Sequence, residues 1–230
     1  ALSLLQEDFG IETRRGDLGS MDFLRSLVEP AQMVVNAVPG FMGYSTLERV
    51  ISLGRNVVDI AFFPEDSAML HDLAVEKDVI AVTDMGVAPG MCNAILGRHY
   101  RSMNVESYLC MVGGLPFKRV LPWEYRAPFS PCDVIEEYVR PARFRVNGRE
   151  VIREALSDRE LVDFPEVGTL EAWNSDGLRS LLHTMPDVPT MREKTLRWPG
   201  HAERVSILRE SGFFSTEPVE IQGKLVSPLE

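Results

Sequence analysis

Apolar and polar residues follow a regular rhythm in the first part of this chain. Short apolar runs rich in β-branched residues predict strands at 33–39, 56–62 and 79–85. The segments between them, 45–53 and 66–77, carry apolar residues at helical spacing. Strands that alternate with helices through short connections are typical of parallel strands joined by crossover helices. The runs are apolar on both faces, which indicates a sheet covered on both sides.

Helix boundaries in this part are marked by polar residues and glycine. Ser45 and Glu48 have the S-x-x-E spacing of a capping box, and Gly54 stands where a helix ends. These residues predict that the helix over 45–53 begins at the serine. Asp59 is unusual because it falls inside a predicted strand, and a buried carboxylate needs partners. It is either a satisfied structural acid or a site residue.

The same rhythm extends toward the N-terminus. We expect a strand around 9–15 and a helix around 20–28, and residues 1–7 look like the end of a helix. Residues 1–92 therefore predict an α/β unit. It would be most of a Rossmann-like doubly wound parallel sheet, N-terminally incomplete.

After residue 93 the pattern changes. Residues 105–112 alternate like a strand, and Asn147-Gly148 between two extended runs predicts a β-hairpin, because type I′ turns need positive φ at both central positions. Further strands are predicted at 169–173 and 191–198, and further helices at 177–184 and 201–211. We interpret residues 93–198 as an α+β substrate and dimerisation domain with a mainly antiparallel sheet. Residues 199–230 would form a C-terminal helix that packs back on the first domain.

Composition narrows the function classes. Apolar residues make up 45% and charged residues 25%, which is typical of a globular protein, and the net charge of −10 argues against nucleic-acid or anionic-membrane partners. No apolar run reaches the roughly 18 residues that a membrane-spanning helix needs. Three widely spaced cysteines indicate a reducing compartment, which we take as the cytoplasm, and they do not cluster with the four histidines, so we predict no metal site.

Three loops follow the predicted strands, at 36–40, 63–65 and 84–91. In open α/β sheets ligands bind beyond the carboxyl ends of the strands, so these loops are candidate binding segments. Small residues in the third loop would let a ligand approach the backbone, and the helix that follows favours a polar or anionic group. The alternative is that its glycines only shape a tight strand-to-helix turn.

Five segments in order carry a family resemblance. They read MGVAPGM at 85–91 followed by Asn93, MVGGLP at 111–116, FS, IEEY and PA within 129–142, LEAWNSDG at 170–177 and EKTLRWPGH at 193–201. Together they resemble the saccharopine dehydrogenase superfamily, and the fourth and fifth segments look most like lysine 6-dehydrogenases. The family's opening strand and G-x-G-x-x-G turn are not found in these residues. We therefore expect the parent protein to carry roughly 60–120 more residues on the N-terminal side, enough for the rest of a nucleotide-binding half.

The resemblance implies an NAD- or NADP-dependent dehydrogenase acting on a CH–NH or CH–NH2 donor (EC 1.4.1 or 1.5.1 type). A lysine 6-dehydrogenase-like enzyme would remove hydride from the carbon bearing the amine and give an imine that hydrolyses. The alternatives are saccharopine or carboxynorspermidine dehydrogenase chemistry, or a non-catalytic ligand-binding domain that lost the glycine turn. The implied partners are a small amino-acid substrate and further copies of the chain, in a homodimer or larger homo-oligomer.

The resemblance also implies roles for single residues, which we expect to converge on one cleft between the two domains. The implied catalytic residues are His201, Asp176 and Lys194. The implied substrate-binding residues are Gly113, Gly114, Arg197 and Trp173. The implied cofactor contacts are Asp17, Asn36, Val38, Pro39, Asp84, Ala88, Pro89 and Gly90.

Structural alternatives stand beside four of these roles. Arg197 is either a clamp for the substrate carboxylate or a surface arginine in an ion pair. Asp176 either faces the substrate amine or caps a helix beginning at residue 177. His201 is either a general base or a structural histidine, and Lys194 is otherwise a solvated lysine on a strand.

Overall fold

The computed structural model describes residues 2–229, which form two compact units: the first ends at Thr83 and the second begins at Asp84. The first unit contains a parallel sheet of β1 (Met33–Asn36), β2 (Asn56–Asp59) and β3 (Ala81–Val82), in that order. Its helices are α1 (Leu2–Phe9), α2 (Met21–Val28), α3 (Gly40–Ser52) and α4 (His71–Glu76), the last preceded by a 3₁₀ turn over Ser67–Leu70. The predicted parallel sheet with crossover helices is confirmed.

The core of the first unit lies between α2, α3 and the sheet. Leu47, Val50 and Ile51 repeat at helical spacing along α3 and are fully buried. They pack with Leu24 of α2 and Val57 of β2 in one cluster. The apolar spacing that predicts this helix is therefore the spacing of its buried face.

Two predictions in this unit are wrong. The strand expected around 9–15 is absent: Phe9 ends α1, and the residues after it are mostly exposed and have no apolar face to bury. The helix α3 begins at Gly40, after Pro39, and Ser45 lies inside it, where its hydroxyl donates to the carbonyl of Met42 at 3.1 Å. Proline is suited to this helix start because its ring fixes φ, here −53°.

The second unit is built on a six-stranded sheet. Its strands are β4 (Ser107–Val112), β5 (Ala142–Val146), β6 (Arg149–Arg153), β7 (Glu160–Phe164), β8 (Gly168–Asn174) and β9 (Thr190–Arg197). The order is β6-β5-β9-β8-β7 with antiparallel pairs, and β4 joins β9 in parallel. The helices are α5 (Met91–Tyr100), α6 (Pro131–Val139), α7 (Leu181–Thr184) and α8 (His201–Glu210), and β10 (Val219–Ile221) and β11 (Lys224–Val226) form a separate hairpin. A mainly antiparallel α+β unit is confirmed.

The hairpin prediction is confirmed by backbone angles. Asn147 has φ of 50° and Gly148 has φ of 77°, so both central residues of the β5–β6 turn adopt the left-handed conformation. The helix expected over 177–184 is shorter and begins only at Leu181. The helix α6 and the strand β7 are not predicted by the sequence pattern.

The last of the second unit's helices, α8, has a buried face formed by Ala202 and Val205. These residues pack in a cluster with Val134 and Tyr138 of α6 and Trp173 of β8. The expected packing of this helix on the first domain stays a prediction. No helix within residues 2–229 has both the length and the apolar character to cross a membrane.

Candidate functional site

The register of β8 and β9 brings two predicted site residues onto one face of the sheet. Glu171 stands opposite Arg197, and Trp173 opposite Thr195. Cross-strand partners share a face, and so do residues two apart on one strand. Lys194 therefore lies on the other face, so the sheet itself separates Lys194 from Arg197 and Trp173.

Arg197 is a buried cation with protein partners. Its side chain is 2% exposed; Nη2 donates to Glu137 Oε2 at 2.6 Å and to the Tyr125 hydroxyl at 3.2 Å. Nη1 donates to the Leu196 carbonyl at 2.9 Å, and the guanidinium carbon lies 4.1 Å from the centre of the Tyr125 ring. The alternative of a surface arginine is wrong, because this ion pair is buried.

The arginine keeps one donor free. Among residues 2–229, Arg197 Nε has no hydrogen-bond partner although it is buried, and the same is true of the indole nitrogen of Trp173. Burial raises the pKa of Glu137, and the neighbouring guanidinium opposes that rise. A protonated Glu137 would leave the charge of Arg197 uncompensated, and a ligand carboxylate can compensate it.

The position of His201 is fixed by β8. The Glu171 carboxylate accepts the backbone N–H groups of Gly200, at 3.1 Å, and of Ala202, at 3.2 Å. A carboxylate at this place satisfies free N–H groups at the start of α8 and complements the helix dipole. His201, the first residue of α8, is 2% exposed and stacks on Trp173 with ring centres 6.3 Å apart.

Both ring nitrogens of His201 are occupied. Nδ1 lies 2.9 Å from the carbonyl of Trp123, so Nδ1 carries the proton, and Nε2 lies 3.0 Å from the Tyr138 hydroxyl. In the neutral ring Nε2 then accepts from that hydroxyl. Burial lowers the pKa of His201, which favours this neutral form.

Arg197, Trp173 and His201 thus come together, and we call their neighbourhood the Arg197–His201 cluster. It comprises Arg197, Trp173, His201, Tyr125, Glu137 and Tyr138. Glu137 and Tyr138 belong to the IEEY segment, so the sequence offered a signal for them. Tyr125 lies in a proline-rich loop with no such signal.

Asp176 has a different partner. Its Oδ1 accepts the backbone N–H of Arg143 at 3.1 Å and that residue's Nε at 2.9 Å, and its Oδ2 accepts Nη2 at 2.8 Å. This is a bidentate salt bridge to a carboxylate that is only 3% exposed. Because α7 begins at Leu181, the alternative that Asp176 caps a helix starting at residue 177 is wrong.

Lys194 is buried on the opposite face of the sheet. Its Nζ donates to Glu160 Oε1 at 2.6 Å and to the carbonyl of Asp158 at 3.0 Å, and its side chain is 6% exposed. The alternative of a solvated lysine is therefore wrong. Its catalytic role stays a prediction.

The two glycines of the MVGGLP segment lie where the chain is tightly packed. A Cβ on Gly113 would stand 2.5 Å from the carbonyl oxygen of Leu196, and one on Gly114 would stand 2.9 Å from Pro128 Cγ. Side chains at these positions would displace neighbouring atoms. Their role as substrate contacts stays a prediction.

The turn before α5 is closed by its own glycines. Gly90 has φ of 140°, and a Cβ there would lie 2.0 Å from the carbonyl oxygen of Gly86. Asp84 accepts Arg179 Nε and the Ser180 hydroxyl, each at 2.7 Å, which ties the turn to the segment before α7. The glycines do shape the turn; contacts of Asp84, Ala88, Pro89 and Gly90 with a cofactor stay predictions.

In the first unit, Asn36 and Asp59 end adjacent parallel strands. Asn36 Nδ2 donates to the carbonyl of Gly43 at 3.2 Å and to the Asp59 carboxylate, whose Oδ1 accepts the N–H of Ala61 at 2.9 Å. Both side chains are buried. Asp59 is thus a satisfied structural acid, and Asn36 uses its amide to hold the sheet edge together.

The other first-unit candidates lie at connections. Asp17 is exposed, and its carboxylate accepts the N–H of Gly19 at 2.8 Å. Val38 and Pro39 are half-buried between β1 and the N-terminus of α3. The carboxyl edge of a parallel sheet followed by a helix N-terminus suits a dinucleotide, so the placement fits a nicotinamide cofactor.

Comparison with known proteins gives a consistent result. Residues 86–229 match the family model described as "Saccharopine dehydrogenase C-terminal domain". Alpha-aminoadipic semialdehyde synthase of Arabidopsis thaliana is 22% identical over 92% of this chain and 21% of that protein. Saccharopine dehydrogenase [NADP(+), L-glutamate-forming] of Schizosaccharomyces pombe is 22% identical over 86% of this chain and 46% of that protein.

Among solved structures, saccharopine dehydrogenase (L-Glu forming) from Saccharomyces cerevisiae shares the fold. Its TM-score is 0.69 at 18% sequence identity, covering 96% of this chain and 53% of that chain. The chain spans from about a fifth to about half of the length of these relatives.

Proposed function

Because the chain belongs to the saccharopine dehydrogenase C-terminal domain family, we propose that the protein is a nicotinamide-dependent oxidoreductase acting on the C–N bond of an amino acid. The observation that carries the proposal is the family match over residues 86–229, which include the whole Arg197–His201 cluster. When bound, the cofactor supplies the hydride acceptor. Loss of hydride from the carbon next to nitrogen leaves an imine, and water then splits it.

Arg197 would bind a carboxylate of the substrate. Support comes from its buried Nε, which has no partner among residues 2–229, and from the raised pKa of Glu137. A planar guanidinium with a free Nε can offer a carboxylate two parallel donors once Glu137 gives way. In this arrangement Glu137 holds the arginine in place until substrate replaces it.

His201 would act as a positioning residue in this geometry. Its two nitrogens connect the Trp123 carbonyl to the Tyr138 hydroxyl, and Tyr138 follows Glu137, the ion-pair partner of Arg197.

Asp176 stays a candidate for accepting the proton of the substrate amine and would first have to release Arg143. Lys194 stays a weaker candidate, because it lies on the other face of the sheet from Arg197 and would have to lose its own proton and its salt bridge to Glu160.

The substrate class depends on whether the amine that is oxidised is primary or secondary. The LEAWNSDG and EKTLRWPGH segments favour a primary amine, as in lysine, whereas the named relatives include saccharopine dehydrogenases, which favours a secondary amine. We propose the secondary amine of a saccharopine-like amino acid first. The cytoplasmic location and the homo-oligomer stay predictions.

The test uses the complete natural protein with NAD⁺ and with NADP⁺, and records formation of reduced nicotinamide with saccharopine and with lysine. Turnover of saccharopine supports the proposal, and turnover of lysine alone would contradict the secondary amine and make a primary amine the substrate. Binding of neither cofactor together with no turnover of either amine would contradict the proposal and favour the non-catalytic domain.

A second experiment addresses Arg197. We expect Arg197→Ala to lower kcat/KM by about 2–4 kcal/mol, roughly 30- to 1000-fold, because a charge-assisted contact is lost. Arg197→Lys should recover little, since an ammonium lacks the guanidinium's fork of donors. Arg192→Ala is the matched control, because Arg192 lies on β9 but on the other face and is 34% exposed. Unchanged kinetics in a folded Arg197→Ala variant would refute the carboxylate contact.

A further inference from the structure

The sheet face that carries Arg197 also carries other buried polar groups without partners. Residues two apart on one strand share a face, and so do paired residues on neighbouring strands. By the register of β4, β8 and β9, this face holds Tyr108, Trp173, Glu193 and Arg197. Among residues 2–229, the Tyr108 hydroxyl, the Trp173 indole nitrogen and Arg197 Nε are buried and have no hydrogen-bond partner. Buried polar groups are normally paired, so this face offers contacts that a polar ligand can satisfy.

Glu193 is the unpaired acid on this face. Its residue is buried, and its carboxyl makes no hydrogen bond or salt bridge within the described part of the chain. Ser175 stands beside it, because the Ser175 N–H donates to the Glu193 carbonyl at 3.2 Å. The Ser175 hydroxyl is likewise buried and without a partner among the residues described. Gly177 leaves room for the carboxyl, since a Cβ at that position would overlap Glu193 Oε1.

The other acids and bases near this face are engaged or lie elsewhere. Asp176 accepts three hydrogen bonds from Arg143. Glu171, which stands opposite Arg197 on the same face, accepts two backbone N–H groups at the start of α8. Lys194 lies on the opposite face. The carboxyl of Glu193 is therefore the acidic group of this face that can meet a ligand without first giving up a protein partner.

The surroundings of this carboxyl favour a cationic ligand. Burial is the main cause that raises the pKa of Glu193 well above its usual range. The titratable groups that add to the rise are all acids: Cys92 of α5, Glu137 of α6, Asp176 and Asp84. The residue opposite it on β4 is Cys110. A cation next to the carboxylate would offset both the burial and the negative neighbours, so it would favour the ionised form.

We propose that Glu193 binds the amine of the substrate as a cation and accepts its proton, with the Ser175 hydroxyl as a second contact and Arg197 holding a carboxylate. The inference rests on the proposed dehydrogenase function. An O–H bond forms on the Glu193 carboxylate, the N–H bond of the amine breaks, and nitrogen keeps the electron pair. That pair forms the C=N bond as hydride leaves the neighbouring carbon for the oxidised nicotinamide.

The spacing of the two charged residues selects among amines. Four positions of extended strand separate Glu193 from Arg197, which places their Cα atoms about 13 Å apart. An α-amino group lies directly beside its own carboxylate. The separation therefore favours an amine that is remote from the carboxylate bound by Arg197.

Binding to the complete natural protein tests the amine contact. The ligands are saccharopine and glutarate, a dicarboxylate without an amine, measured by calorimetry with reduced nicotinamide present so that no oxidation occurs. Glu193→Gln should weaken saccharopine binding at least roughly tenfold, because a charged contact is lost, and should leave glutarate binding nearly unchanged. Arg197→Ala should weaken the binding of both. Glu166→Gln, in an exposed turn, is the control and should match the wild type.

The pH dependence of kcat/KM tests the proton transfer. Glu193→Gln should lower kcat/KM about 100- to 10,000-fold at neutral pH, because the general base is lost. In the wild type log kcat/KM should level off once Glu193 is ionised. In Glu193→Gln it should keep rising with a slope of about 1 up to about pH 10, since the deprotonated amine needs no base.

The outcomes separate this inference from the proposed function. A Glu193→Gln variant that turns over saccharopine with a defect independent of pH, or that loses saccharopine and glutarate binding equally, would overturn the role of Glu193 and leave the dehydrogenase intact. Selective loss of saccharopine binding in a protein without turnover would overturn the dehydrogenase function and retain the amine contact. Absence of saccharopine binding by the wild type would overturn that contact.

Discussion

Glu193 is a buried carboxylic acid whose charge the fold does not compensate. Its residue is 6% exposed, and it makes no hydrogen bond or salt bridge through its side chain within residues 2–229. It lies directly against Gly177, where an added Cβ would stand 1.7 Å from Glu193 Oε1. We predict that the Glu193→Gln variant gains stability relative to the wild type as the pH rises from acidic to neutral.

The size of the effect follows from proton linkage. Burial raises the folded-state pKa of Glu193 well above its ordinary value, so the folded protein holds this proton more tightly than the unfolded chain does. The stability from the protonated form is complete below the unfolded pKa of about 4.3 and is lost as pH rises through the folded pKa. Within that window each pH unit lowers the unfolding free energy by about 1.4 kcal/mol. Glutamine has nearly the same shape and does not ionise.

Urea unfolding at a series of pH values measures this difference. All three tryptophans, Trp123, Trp173 and Trp198, lie in the second unit, so tryptophan fluorescence reports on that unit alone. The unfolding free energy of Glu193→Gln minus that of the wild type should rise with pH above about 4.3, by up to about 1.4 kcal/mol per unit. The buried glutamine amide can lower the unfolding free energy of the variant by the same amount at every pH, which leaves the slope of the difference against pH unchanged.

The control is Glu166→Gln, because Glu166 is exposed in the turn between β7 and β8. Its curve should run parallel to the wild type at every pH. If the curves of Glu193→Gln and the wild type are also parallel, Glu193 is ionised in the folded protein, and the reasoning from burial fails.

Two further stability predictions concern the sheet and its buried ion pair. Arg197→Met and Glu137→Leu should each lower the unfolding free energy by about 3–5 kcal/mol, because each leaves the partner charge unpaired. The double variant should lose less than the sum of the two, and additive losses in urea unfolding would contradict an interaction between the two charges. Gly113→Ala should destabilise by more than about 1 kcal/mol, because its Cβ would lie 2.5 Å from the backbone oxygen of Leu196. At Gly97 inside α5 an added Cβ would lie 3.8 Å from Met185, an ordinary contact, so Gly97→Ala should stabilise the protein by about 1 kcal/mol. A Gly113→Ala variant more stable than Gly97→Ala would contradict the packing described for Gly113.

Much of the fold is present in local sequence. The buried face of α3 is predicted by the spacing of Leu47, Val50 and Ile51, and the hairpin is predicted by Asn147-Gly148. Both signals depend only on residues that are close in the sequence. The sequence pattern places the start of α3 too late because two helix-start signals compete there. Ser45 matched a capping box, but Pro39 and the small residues after it already allow the helix.

Local sequence predicts most of the elements, the family and the residue types available for chemistry, but not α6 or β7. Which of these residues lie together depends on strand pairing and on contacts between residues far apart in the sequence. Glu137 reaches Arg197 across 60 positions, and β8 sets Trp173 beside it, while Lys194, three residues before Arg197, lies on the other face. Local patterns fix a side chain's period, but the partner that compensates a buried charge comes from another element, and only the tertiary structure brings the two together.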